Sequence, residues 1–153
     1  MMYQLLWTIL LLLTGKRRFQ IRPHKIRKDN WGDGSFDSSR THGGHEGIDI
    51  ETSPGQTLYA PYNMYVERQN WPYKGDWYFT GMDVVPKGSG LGTKARYFYV
   101  APFEEILGTN VTMGTPIGIA QDISQKYSNS MVPHVHVEHW KDGEPINPTN
   151  IYI

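Results

Sequence analysis

The sequence contains no cysteine among its 153 residues. Disulfide bonds are therefore excluded as stabilisers, although small secreted domains usually depend on them. Long helices also lack support, because no stretch keeps a helical period and no fixed-period repeat is found. The apolar content of 39% fits one domain with a modest core.

A hydrophobic stretch long enough to cross a bilayer is missing too. The run from Leu5 to Leu13 is broken by Thr8 and falls well short of the ~20 residues that a spanning helix needs. Its length fits a signal-peptide core, although no basic residue precedes it and no A-x-A-like cleavage site follows. For residues 1–15 we favour a secretory signal over a short hydrophobic anchor. We expect a secreted mature domain without stable membrane insertion.

Basic residues are scarce beyond the N-terminal region. Seven of the fifteen Lys and Arg residues precede the first acidic residue, Asp29, and the rest of the chain carries eight basic against fifteen acidic residues. This balance argues against general nucleic-acid binding, so no nucleic-acid partner is expected. We predict a basic linker over residues 16–30, which is solvated rather than bound to phosphates or anionic lipid.

Turn residues and aromatics are abundant: the chain has sixteen Gly, ten Pro, ten Tyr and five Trp. This composition favours short strands joined by turns. We predict a compact, all-β antiparallel domain over residues 31–153 with an irregular N-terminal lead-in, and a small hairpin or bulged strand at VTMGTPIGIA. The predicted strands lie in the runs GIDIE, TLYAP, MYVERQ, WYFTGMDVV, ARYFYVAPF, VTMGTPIGIA and HVHVEHW.

The stretch MVPHVHVEHW crowds three of the six histidines of the chain into six positions. In a strand, residues two apart share a face, so His134, His136 and Glu138 project one way while the alternating valines project towards a core. The histidine face is then free to line a cleft. Taken alone, such a pair is more often a hydrogen-bonded surface or core pair than a metal site.

A second cluster lies in HGGHEGIDI, which contains His45, Glu46 and Asp49. The spacing resembles the helical H-E-x-x-H zinc motif, but the glycines and β-branched residues oppose a helix and indicate a loop that enters a strand. Such a loop can aim His45 and Asp49 at one point. One histidine from the later strand would complete two imidazoles and a carboxylate, which leaves tetrahedral Zn²⁺ an open position. His42 and His139 are expected to be ordinary polar residues.

The ordered segments HEGIDI, GQTLYAP, GTNVTMGTPIG, HVHVE and INPTNIYI resemble the signature of the lysostaphin-type zinc endopeptidases over residues 42–153. This resemblance implies the β fold of that family and one bound Zn²⁺. It also implies that His45, Asp49 and His136 are the zinc ligands. His134 would be the neighbouring histidine that assists the metal-bound water or the oxyanion.

A narrower resemblance is to secreted animal signalling proteins that carry this peptidase fold. It rests on WGDGSFDSSR, TLYAPYNMYVERQNWPY and YFYVAPF, and it reaches back to about residue 31. Those proteins are rich in disulfides, so here either the core suffices without them or the chain is not secreted. Asn110 lies in NVT, a formal glycosylation acceptor that matters if the chain is exported.

The family's active members have a Tyr-x-His element, and this chain has Tyr99 followed by Ala101 at the histidine position. A positioned general acid or base typically contributes ~10²–10⁴-fold, so its loss implies little peptidase activity. We therefore expect an extracellular zinc-binding module with a protein receptor or ligand, in which zinc pins the 42–49 loop to the 134–138 strand. The alternatives are an active zinc endopeptidase that cuts glycine-rich or peptidoglycan peptides, and a metal-free β adaptor.

Overall fold

The computed structural model describes residues 24–153, so the predicted signal segment 1–15 and the first part of the linker lie outside the described residues. Within this range the chain forms short strands, a C-terminal helix and two 3-10 turns, at Glu104–Ile106 and Ile123–Gln125. The strands and the helix are β1 (Lys28–Asp29), β2 (Gly32–Asp33), β3 (Ser39–Arg40), β4 (Gly43–Gly44), β5 (Gly47–Glu51), β6 (Thr57–Tyr59), β7 (Met64–Asn70), β8 (Gly81–Pro86), β9 (Lys94–Phe98), β10 (Val100–Pro102), β11 (Thr109–Val111), β12 (Pro116–Ala120), β13 (His134–Lys141), β14 (Glu144–Ile146) and α1 (Thr149–Tyr152).

Two sheets organise the domain. The larger has the order β11-β7-β8-β9-β13-β14, and β5 also pairs with β13; the smaller has the order β10-β12-β6. Every strand pair in these sheets is antiparallel. The predicted compact, antiparallel all-β domain is therefore confirmed. No helix in residues 24–153 has the length and apolar character needed to span a membrane.

Strand β13 is the central element for the site. One of its edges pairs with β9, and its other edge pairs first with β5 and then with β14. Val135 and Val137 on one face are fully buried, together with Ile48 and Ile50 of β5. Burying each such side chain contributes roughly 1.5–3 kcal/mol, so this shared core fixes the register of β5 against β13.

The lead-in segment, residues 24–40, covers the outer edge of β5. Ile26 forms an antiparallel bridge with Ile50, and the Arg27 amide donates to the carbonyl of Asp49 at 2.8 Å. Gly34 accepts from the Asp49 amide at 2.8 Å. Part of the predicted linker 16–30 thus pairs with the sheet and satisfies an edge that would otherwise be open.

The glycine-rich stretch VTMGTPIGIA becomes a bulged strand, one of the two forms predicted for it. Its second half is β12, whose pairing with β6 shifts register between Pro116 and Gly118. Its first residue, Val111, ends β11, which pairs with β7 of the larger sheet, and residues 112–115 form the turn between the two strands. The stretch therefore carries the chain from one sheet to the other.

Candidate metal centre

Strand pairing brings Asp49 and His136 together. The two residues are direct partners in the antiparallel register of β5 and β13. Because partners across a ladder project to the same face, the carboxylate and the imidazole meet on the face opposite the valine core. His45 lies in the loop two residues before β5 and joins them, as the loop-to-strand interpretation predicts.

The three side chains converge on one point. His136 Nδ1 lies 2.8 Å from Asp49 Oδ1 and 3.0 Å from His45 Nε2, and His45 Nε2 lies 3.4 Å from Asp49 Oδ1. Tetrahedral Zn²⁺ with bonds of ~2.0–2.1 Å requires donor atoms about 3.4 Å apart. The donor set of two nitrogens and one oxygen fits such an ion after shifts of a few tenths of an ångström.

Outer hydrogen bonds fix which ring nitrogens face the centre. His45 Nδ1 lies 3.0 Å from the Ser35 carbonyl oxygen, and His136 Nε2 lies 2.9 Å from Glu138 Oε1. When these outer nitrogens carry the protons, the inner nitrogens present lone pairs to each other and to Asp49 Oδ1. The three acceptor atoms would then repel one another, and a cation between them would remove this repulsion. Zinc-ligating histidines are usually held by outer partners in this way.

Without a metal, protons balance the same charges. Burial by itself would lower the pKa of His136, but hydrogen bonds to Asp49 and Glu138 outweigh burial and raise that pKa to about 9. Burial would likewise raise the pKa of Asp49, yet its hydrogen bonds with His136 and His45 hold it well below the usual range. The carboxylate therefore stays ionised in the metal-free protein and is available to a cation.

His134 lies beside the cluster rather than within it. Its Nε2 is 3.8 Å from Asp49 Oδ1, and its Nδ1 is 2.7 Å from the Val132 carbonyl oxygen. The Tyr99 ring meets the imidazole at right angles, with centroids 5.4 Å apart. Burial lowers the pKa of His134 below its ordinary value. These contacts leave a neutral imidazole next to the three candidate ligands.

The other histidine-motif residues do not join the cluster. His42 and Glu46 are exposed. His139 is fully buried on the opposite face of β13, where it hydrogen-bonds the Leu91 carbonyl oxygen at 2.7 Å. It is therefore a core residue rather than the ordinary polar residue expected. Ala101 lies in β10, opposite Ile119 of the smaller sheet.

The sequence did not predict two side-chain contacts of the candidate metal centre. Arg27 donates from Nε and Nη2 to Asp49 Oδ2, at 3.1 and 2.9 Å, and Glu138 bonds His136. The position of Glu138 two residues after His136 on a strand could have indicated this contact, since i and i+2 share a face. Arg27 is 22 residues from Asp49 and sits in a basic stretch, so its sequence offers no comparable signal.

The profile of peptidase family M23 matches residues 43–148, which include His45, Asp49 and His136. The chain therefore belongs to peptidase family M23. Among individual proteins, it is similar to leukocyte cell-derived chemotaxin-2. It is 27% identical to the Mus musculus protein over 76% of this chain and 74% of that one, and 26% identical to the Bos taurus protein over 91% of this chain and 84% of that one. The narrower resemblance that reaches back to about residue 31 is thus to chemotaxin-2.

Solved structures share the fold. The catalytic domain of the antimicrobial peptidase lysostaphin from Staphylococcus simulans superposes with a TM-score of 0.57 at 17% identity, over 83% of this chain and 90% of that domain. A zinc-containing peptidase from Vibrio cholerae gives 0.56 at 20% identity, over 86% of this chain and 39% of that one. This chain spans about half, 52%, of another lysostaphin structure. At these identities the likeness establishes the fold.

Proposed function

We propose that this protein is a zinc-binding extracellular module that recognises a protein partner and has lost the peptidase activity of its family. His45, Asp49 and His136 hold one Zn²⁺, which ties the segment around His45, between β4 and β5, to β13. A metal that binds only the folded state stabilises it. Three protein ligands leave one position open, and it can accept a carboxylate or carbonyl oxygen from a partner.

The observation that carries the proposal is Ala101, which stands where active members of the family carry a histidine. Its methyl group offers neither a proton donor nor an acceptor. The aromatic neighbour of His134 does not replace it, because burial raises the pKa of Tyr99 far above its usual range. Among the described residues, neither Ala101 nor Tyr99 then supplies His134 with the second proton-transfer group of active members, and such a group typically contributes ~10²–10⁴-fold in rate.

Exposed aromatic side chains between β7 and β8 support a protein partner. Trp77 is 71% exposed, Tyr78 63% and Trp71 44%, and the two tryptophan rings pack edge to face at 5.4 Å. Tryptophan and tyrosine are enriched at protein interfaces. These three residues provide an exposed aromatic surface for recognition.

An extracellular location is part of the proposal. It is supported by the similarity to chemotaxin-2 and by the signal-like sequence of residues 1–15. Asn110 is exposed in β11, as a glycosylation acceptor has to be. Recovery of the chain from the medium of secreting cells, with a glycosidase-sensitive mass at Asn110, tests export; full retention inside the cells argues against it.

The decisive experiment is a peptide-cleavage assay with zinc-loaded protein on glycine-rich and peptidoglycan cross-bridge peptides. We expect no turnover above background from the unmodified chain. Ala101→His restores the missing imidazole, and any cleavage that it produces should vanish in the Ala101→His, His134→Ala double variant. Appreciable turnover by the unmodified chain that is lost in His134→Ala would overturn the binding proposal.

The second candidate function is an active zinc endopeptidase, and the complete set of three candidate ligands beside His134 favours it. In that case His134 acts without the histidine that Ala101 replaces. The two functions make opposite predictions for the same assay. They share the zinc site, so metal binding alone does not separate them.

A further inference from the structure

Arg27 lies sixteen residues before the segment that matches the family profile, yet the residue is only 4% exposed and its side chain reaches the candidate metal centre. Its Nε and Nη2 both donate to Asp49 Oδ2, at 3.1 and 2.9 Å. Its Nη1 donates to Asp29 Oδ1 at 2.6 Å and to the Gly32 carbonyl oxygen at 3.3 Å. The guanidinium is therefore held on three sides by fixed acceptors.

The two oxygens of Asp49 have separate partners. Oδ2 accepts both donors of Arg27, while Oδ1 faces His136 Nδ1 at 2.8 Å and His45 Nε2 at 3.4 Å. A carboxylate can bind a metal through one oxygen or through both. Here the arginine occupies the second oxygen and leaves Oδ1 directed at the ligand nitrogens.

We propose that Arg27 is a positioning residue that keeps Asp49 a one-oxygen zinc ligand, so that the ion stays four-coordinate with its fourth position open to a group from a partner. The inference rests on the proposed zinc site. It assigns the lead-in segment, which lies outside the family profile, a part in the metal centre. Outer partners of this kind typically change metal affinity by about 10–100-fold when they are removed.

The backbone explains why the guanidinium stays in place. The Arg27 amide donates to the Asp49 carbonyl oxygen at 2.8 Å, and the Arg27 carbonyl accepts from Gly34 at 2.8 Å. Asp29, the second carboxylate on Arg27, accepts from the Val132 amide at 2.8 Å. Arg27 is thus tied both to β5 and to the segment that leads into β13, the two strands that carry the ligands Asp49 and His136.

Arg40 provides a matched control. Its Nη2 lies 3.8 Å from the same Asp49 Oδ2, beyond hydrogen-bond distance, and its donors are directed instead at Ser38 Oγ and the Asp33 carbonyl oxygen. Both arginines place positive charge near the carboxylate. Of the two, only Arg27 hydrogen-bonds Asp49 Oδ2. Comparing substitutions of Arg27 and Arg40 therefore distinguishes an effect of positioning the carboxylate from an effect of nearby positive charge.

The test uses the full chain loaded with Co²⁺ in place of Zn²⁺, because the visible absorption of Co²⁺ reports coordination number. The unmodified chain should give the intense bands of a four-coordinate ion. Arg27→Met should give weaker, five-coordinate bands as Oδ2 joins the metal, and a zinc affinity lower by about 10–100-fold in chelator competition. Arg40→Met should keep the spectrum and stay within about threefold in affinity.

Arg27→Lys covers the case in which Arg27→Met does not fold. Lysine keeps the charge but cannot hold Oδ2 from two directions. We expect an altered spectrum and an affinity loss smaller than that of Arg27→Met but larger than that of Arg40→Met. A folded Arg27 variant that has the same Co²⁺ spectrum and zinc affinity as the unmodified chain, even with a lowered melting temperature, would make Arg27 a structural residue and overturn the inference. An unmodified chain that takes up neither Co²⁺ nor Zn²⁺ would instead refute the proposed function.

Discussion

His139 lies on the core face of β13, where its protonation state is tied to folding. Its Nδ1–H donates to the Leu91 carbonyl, so Nε2 presents its lone pair to the hydroxyls of Tyr152 at 2.9 Å and Tyr62 at 3.2 Å. A second proton would turn this buried acceptor into a donor. Burial accordingly lowers the pKa of His139 from 6.5 to about 4, although the bond to Leu91 opposes the shift.

The sign of the pH dependence follows from this lowered pKa. The unfolded chain takes up the proton near pH 6.5 and the folded chain near pH 4, so the contribution to stability is complete above pH 6.5 and is lost as the pH falls towards 4. Between pH 7.5 and 4.5 the loss is about 2–3 kcal/mol. Because the raised pKa of His136 acts in the opposite direction, the share of His139 is measured as the difference in pH dependence between unmodified zinc-free protein and His139→Gln in urea unfolding. Exposed His42→Gln should follow the unmodified chain; an unchanged pH dependence in His139→Gln contradicts the assignment.

Much of the residue-level site is readable from strand alternation. His134, His136 and Glu138 were expected on one face. They lie there because the two apolar valines between them are buried in the core on the opposite face. The partners of these residues were harder to find. Arg27 reaches Asp49 through a pairing between distant segments, and sequence spacing carries no information about such contacts.

Strand β5 depends on close backbone contact at Gly47. A Cβ there would lie 2.2 Å from the Val137 carbonyl oxygen and 3.0 Å from a ring carbon of His136. Since strand backbone cannot yield as a flexible side chain does, the pairing of β5 with β13 has to open around any larger residue. Glycine is required here because β5 and β13, which carry the candidate ligands Asp49 and His136, leave no space for a Cβ.

Gly47→Ala should therefore lower the free energy of unfolding by about 1–3 kcal/mol, as overpacking does, and weaken zinc binding by displacing His45 and Asp49. Urea denaturation and chelator competition measure the two effects. Gly114→Ala is the control: it meets nothing within 4 Å but has a φ of +87°, so it should cost about 1 kcal/mol and leave zinc affinity unchanged. Equal effects of the two variants on zinc affinity would count against a close-packed β5.

At the level of elements, the hydrophobic runs of the sequence predicted the positions of strands well, but they predicted the ends of the strands poorly. GIDIE matches β5 in full. The aromatic run ARYFYVAPF divides into β9 and β10 at Tyr99, whose φ of +66° turns the chain from one sheet to the other. The residues before Gly81 in WYFTGMDVV lie outside β8. Aromatics favour strands in general, so propensity alone does not reveal such breaks.

The molecule as a whole is held without disulfides. Its core is formed by apolar side chains of both sheets, and the proposed zinc ion adds a link between segments 91 residues apart, from His45 to His136. A ligand present at about 100 times its dissociation constant stabilises the folded state by ~2.7 kcal/mol. The proposed zinc ion would thus provide at one point the cross-link that disulfides provide in many small secreted domains.

The most direct test of the account is the zinc content of protein purified without added metal or chelator, measured by elemental mass spectrometry. We predict one zinc per chain for the unmodified protein and for His134→Ala, and none for Asp49→Ala or His136→Ala. Removing zinc from the unmodified chain should lower its unfolding temperature and leave that of Asp49→Ala unchanged. Metal-free unmodified protein that takes up no zinc, or Asp49→Ala that retains it, would contradict the account.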